Sequence, residues 1–123
     1  LGTTAVSSGC GCNNQKILYD GKVGNDNVRY EQTFDVNHLL ISQTLRIQKA
    51  EGDSVELTDD SPYPVDYSID KVKVTKDKKI TEYSTSNATD STVIQEGQKK
   101  FNGYKAKIQE EKAKEDLEFL RNL

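Results

Sequence analysis

At 123 residues with a formal net charge of −3, the chain has the length of one ordinary domain. It lacks the clustered basic excess that phosphate contacts require, which argues against a nucleic-acid partner. Leu, Ile, Val and Phe number 28, about a quarter of the chain, so a modest core is expected rather than disorder, and no run approaches the roughly 18 apolar residues of a membrane helix.

The first fifteen residues carry no charge and no hydrophobic period, and are expected to form a flexible leader outside the domain. Leu1 stands where a translation start would place Met, and there is no Met anywhere, which points to a processed or truncated product. Within the leader, two small residues precede a cysteine, Ser8-Gly9-Cys10, and a polar run, Asn13-Asn14-Gln15, follows it. This stretch resembles the end of a prokaryotic lipoprotein signal peptide, although the residue three before the cysteine is Ser7, with Val6 one step further back. The resemblance implies that Cys10 takes the lipid, that any membrane attachment runs through it, and that the protein is extracytoplasmic, at the cell surface or secreted. Other readings of Cys10 and Cys12 stay open: a disulfide between them or to other chains, a soft-metal pair, or a plain leader. Two thiolates make an incomplete metal site and the single histidine, His38, lies beyond local ligand spacing, so no metal is assigned.

Ile17 to Tyr19 reads as a short strand, and Asp20-Gly21 as a turn that tolerates positive φ angles. Gly24 to Asn27 is a second turn signal; its oxygen-rich side chains lack the spaced carboxylates of a calcium loop. From Val28 to Thr58 the apolar residues keep a period of two: Val28, Tyr30 and Phe34, then Leu39, Ile41, Leu45 and Ile47, then Val55 and Leu57. That is the signature of strands. Gln43 interrupts the apolar parity, and Ser42, Thr44, Arg46 and Gln48 occupy a wet opposite face, as an antiparallel sheet allows. His38 falls in a turn and no catalytic partner for it is apparent.

The stretch Asp59 to Pro64 is expected to be a loop, since both prolines lack a donor and push their predecessors to extended geometry. Its paired carboxylates, Asp59 and Asp60, read as a solvated turn, and Tyr63 between the prolines as a partner-contact residue. Val65 to Ser84 predicts a hairpin with a β-bulge near Asp70-Lys71, turning at 76–79 and setting Lys73 opposite Glu82 and Val72 opposite Tyr83. Asn87-Ala88-Thr89 matches a glycosylation sequon, a pattern that often arises by chance.

Thr92 and Gln95 have the spacing of a capping box, and Ile94, Gly97, Phe101, Tyr104 and Ile108 form one helical stripe. From Gln109 to Asp116 the helix is charged nearly all round, and Leu117, Phe119, Leu120 and Leu123 restore apolarity at its end. The expected fold is therefore α+β: residues 16–123 form a single domain, an antiparallel meander of five to six strands over 16–84 covered on one face by a helix over 92–123. No catalytic residues and no cofactor are assigned. The leading functional expectation is a non-catalytic, exported binding module of the cell envelope that meets a protein partner or a second copy of itself through Tyr63 or the terminal patch of Leu117, Phe119, Leu120 and Leu123. The alternative is a structural subunit of an extracellular fibre or coat, assembled through the N-terminal arm and the same patch.

Overall fold

The structure, a computed structural model, describes residues 14–60 and 68–123. Six strands form one antiparallel sheet in sequence order: β1 (Asn14–Val23), β2 (Asp26–Phe34), β3 (Leu40–Gln48), β4 (Ser54–Asp59), β5 (Lys71–Lys76) and β6 (Lys79–Ser84). A 3-10 turn, Ala88–Asp90, leads into the helix α1 (Ser91–Arg121), which lies across one face. The α+β meander with its helical cover is thus the observed architecture.

Register turns the period of two into layers. One row across the sheet is Tyr19, Tyr30, Leu45, Leu57, Val72 and Tyr83, and the next is Gly21, Val28, Ile47, Val55, Val74 and Thr81. Both rows lie under the helix. The row between them faces the other way: Asp20, Arg29, Arg46, Glu56, Lys73 and Glu82. The expected register of β5 on β6, with Lys73 opposite Glu82 and Val72 opposite Tyr83, is the one observed.

Several local expectations are corrected. Asp20 and Gly21 lie inside β1, and the hairpin closes instead at Gly24-Asn25, where Gly24 has φ +64° at the first central position. Continuing β1 to Val23 aligns Tyr19 and Gly21 with Tyr30 and Val28, a gain that a turn at Asp20 would forfeit. The register shifts fall instead at Leu18 in β1, against β2, and at Ile41 in β3, against β2; Leu39, expected in line with Ile41 and Leu45, lies exposed ahead of β3. Ile69 and Asp70 precede β5 as irregular chain, while Val65 and Tyr67 lie outside the described residues. The β5–β6 turn runs through Asp77 and Lys78, both at positive φ (52° and 66°), which is type I′ geometry without glycine. The helix starts without its expected box: Asp90 is its N-cap and makes no side-chain cap bond. Its carboxylate accepts the Ser84 N–H at 3.1 Å instead.

The cover is the stripe read from the sequence. Ile94, Gly97, Phe101 and Ile108 are the buried residues of α1, and Tyr104 is half-buried between them. The helix lies diagonally, from Val72, Ile69 and Leu57 beneath Gly97 to Asp26 at the β1–β2 hairpin, where the Tyr104 hydroxyl donates to the carboxylate at 2.8 Å. Phe101 is fully buried and meets Tyr30 edge-on, with ring centroids 6.0 Å apart and planes at 83°. Truncating Phe101 to Ala should cost about 3 to 5 kcal/mol, the range for a fully buried aromatic; a urea midpoint that barely moves would remove the helix as the cover.

Two glycines of α1 make the close approach testable. A Cβ on Gly97 would sit 2.7 Å from Val72 Cγ2 and 2.9 Å from Ile69 Cδ1, whereas one on Gly103 meets nothing within 4 Å. Gly97→Ala should therefore destabilise, an overpacking cost of about 1 to 3 kcal/mol outweighing the roughly 1 kcal/mol of helix propensity recovered. Gly103→Ala should stabilise by up to about 1 kcal/mol. Thermal melts of the pair must move in opposite directions; a shared sign would mean that the helix does not rest on the sheet at Gly97.

Candidate functional site

The surface that departs most from a self-contained fold is the end of α1. The last buried residue is Ile108, and from Lys112 onward every residue is exposed. The helix nonetheless continues unbroken to Arg121, about 20 Å past Ile108 at 1.5 Å per residue. On this arm Leu117 is 49%, Phe119 65%, Leu120 64% and Leu123 84% exposed. All four terminal residues expected to bind a partner lie on this arm, but not on one face of it. At about 100° per residue, Leu117 and Leu120 lie roughly 180° and 120° around the helix from Ile108, while Phe119 lies roughly 20° from it. A straight helix therefore cannot return the two leucines to its own sheet.

The open face of the sheet is the second polar surface, and it is largely self-neutralised. Arg46 donates to the Glu56 carboxylate through Nε at 3.0 Å and Nη2 at 2.8 Å, and its Nη1 lies 3.8 Å from Glu31. Lys73 lies 3.8 Å from Glu82. Glu31, buried despite its charge, also accepts from the Gln15 side-chain amide and faces Arg29 Nε at 3.7 Å. Between β3–β6 and the segment that leads to α1 lies an open cleft of about 570 Å³, lined by Thr58, Asp60, Lys71, Ser84 and Asn87 among others.

Asp59 and Asp60, read as a solvated pair, are separated by the strand. Asp59 shares the parity of Leu57, faces the helix side and is 2% exposed, where it accepts from Gln43 Nε2 at 3.1 Å. Gln43, 1% exposed, accepts from the Tyr30 hydroxyl at 2.6 Å, giving a buried polar chain from β2 through β3 to β4. Asp60 points outward to Lys71 Nζ at 3.1 Å, and its N–H donates to Asp70 Oδ2 at the same distance. Burial pushes the Asp70 carboxyl above the ordinary range, and the carboxylates of Asp60 and Asp59 add to the shift, against the Asp60 N–H and Lys71. The parity break at Gln43 was the sequence signal for the chain; only the register reveals that Asp59 joins it.

Cys10, Cys12 and Tyr63 lie outside the described residues. His38 is exposed at φ +66°. In the oxygen-rich turn, Asp26 is engaged by Tyr104, and among the described residues no group of three or more His, Cys, Asp or Glu side chains is placed to hold a metal ion. No helix among them is long and apolar enough to cross a membrane.

Tyr104 joins α1 to the β1–β2 hairpin and carries a pH signature. Burial, then the hydrogen bond to Asp26 and that carboxylate's charge, push its phenol up from 10.0 to about 12. Because the folded pKa exceeds the unfolded one, the contribution is complete below about pH 10 and is lost as pH rises towards 12. Tyr104→Phe should lose on the order of 1 kcal/mol at pH 7 and should show a shallower decline between pH 10 and 12. Parallel alkaline melting curves for the two proteins would show that the bond contributes nothing.

No protein-family model, no curated protein and no solved structure matches this chain, so its function must be argued from these surfaces alone.

Proposed function

We propose that this protein is a non-catalytic binding module of the cell envelope, held outside the cytoplasm through a lipid on Cys10 and acting on a protein partner through the distal arm of α1. The observation that carries the reading is the unbroken helix that holds Leu117, Phe119, Leu120 and Leu123 in solvent beyond the sheet's cover. Exposed apolar side chains gathered at the end of a rigid element are characteristic of an interaction surface. The carboxylates nearest the open cleft favour a binding role over catalysis, because they already have structural partners: Asp60 has Lys71, and Asp90 has the Ser84 N–H.

The second reading, a structural subunit of a fibre or coat, draws on one further feature. Among the described residues the six-stranded meander has two edge strands, β1 and β6, and unpaired edges are templates for strand addition. Lys78 and Lys79 at the tip of the last hairpin oppose such pairing, which favours the binding module.

The test is the intact mass of the protein isolated from its native membranes, together with photo-crosslinking from position 120. A mature chain that starts at Cys10 with a diacylglyceryl group, and a discrete protein adduct from position 120 but not from position 99, are expected. An unlipidated chain retaining residues 1–9 would overturn the anchor. Equal labelling from both positions would overturn the arm as the contact surface.

A further inference from the structure

Deepening that reading and resting on it, we infer that the occupant of the arm is a second copy of this chain, with two α1 arms packed parallel along the line Ala113, Leu117, Leu120. These positions are spaced four and three residues apart, the alternation of a two-helix seam. All three lie roughly 120° to 180° around the helix from Ile108, so the seam points away from both sheets and the two covers do not collide.

Charge decides the orientation. With Leu117 and Leu120 in the seam, the flanking positions are Asp116 on one side and Lys114 and Arg121 on the other. Parallel packing sets Asp116 of each copy beside Arg121 of the other, two complementary pairs, whereas antiparallel packing sets the cations beside cations. Among the described residues neither Asp116 nor Arg121 takes part in an ion pair within its own chain. Upstream, Glu110 occupies the same line and would face its own copy, which confines pairing to the projecting arm.

The size of the seam sets the strength. About three turns of paired helix bury on the order of 700 Å² in total, well short of the roughly 1,200 Å² of a stable complex. The dimer is therefore weak in solution. Two chains tethered to one membrane are concentrated relative to each other, and a parallel pair directs both N-terminal tethers to the same side. An anionic lipid surface fits the arm less well, since five carboxylates stand against three cations over residues 109–123.

The experiment is sedimentation equilibrium of the full chain from about 10 µM to about 1 mM, with Cys10 and Cys12 replaced by Ser so that disulfides cannot do the joining. A reversible monomer–dimer equilibrium is expected. Leu117→Ser and Leu120→Ser should each weaken it at least about tenfold, and Phe119→Ser, off the seam although more exposed than Leu117, less than about twofold. Asp116→Arg or Arg121→Asp alone should weaken it several-fold, and the two together should restore it. All these positions are exposed beyond Ile108, so unchanged melting curves confirm that the fold is intact. A chain that stays monomeric throughout overturns the inference while leaving Cys10 lipidation and a different partner in place. Equal sensitivity to Phe119→Ser, failure of the double reversal, or binding of the monomer to phosphatidylglycerol vesicles through the arm also overturns it.

Discussion

The contact on which the rest depends is the seating of α1 at Gly97. With no side chain there, the helix backbone comes down onto Val72, Ile69 and Leu57, whose methyl groups occupy the space a Cβ would need. Close approach brings Phe101 down far enough to be fully buried against the edge of Tyr30, and Tyr104 within 2.8 Å of Asp26. Two contacts a turn or more apart on a rigid rod define its axis, and the axis defines where Leu117 to Arg121 emerge. The orientation of the arm is thus set by packing some thirty ångströms away, through a helix that transmits it without a break.

Under the same helix the core is not purely apolar. The chain from Tyr30 through Gln43 to Asp59 runs across three strands, next to the rows of Leu45 and Leu57. A buried carboxylate is tolerated only when hydrogen-bonded, and the loss of one partner would leave the others uncompensated. Such a chain contributes little net stability compared with leucines of the same volume, but it penalises any shift in strand register, because a one-residue slip would turn Gln43 and Asp59 to the opposite face. The outer face repeats the logic in water, where Arg46 lies between Glu31 and Glu56 and Lys73 faces Glu82. Complementary charges across strands favour this pairing over its neighbours.

What was legible in the sequence was whatever repeats. The alternation from Val28 to Leu57 and the steps of three and four from Ile94 to Ile108 each express the covered face of an element, and both are seen in the structure except at Leu39, which is exposed ahead of β3, and Ile41, where the register slips. Features decided by single residues competing with a whole strand were not legible. Asp20-Gly21 has turn chemistry, but Tyr19 and Gly21 align with the covered rows only if the strand continues. Asp59 looked solvated because a charge is usually exposed, and it is buried because strand parity outweighs residue type at that position. Thr92 did not cap the helix, because the 3-10 turn before it feeds its backbone into α1 one residue earlier and Asp90 is engaged by Ser84. Of the candidate site, the terminal apolar cluster was readable as composition; its continuous helical support required the structure.

The two apolar stripes of α1 also explain why the charged stretch between them is needed. Phe119 returns to within about 20° of the Ile108 direction only about 16 Å further along the axis; the sheet-facing positions before it are Glu111, Lys112 and Glu115, and all are charged. Each would incur a desolvation cost on any apolar surface, so the line that holds the helix to its own sheet is closed to further packing from Glu111 to Glu115. Apolarity reappears on the opposite side, at Leu117 and Leu120, after a phase change that no straight helix can undo. One face of the helix is thereby committed to the fold and the other kept out of it. That separation lets a change at the arm alter association without loosening the core, and lets the core hold the arm rigid enough that little conformational entropy is lost when it docks.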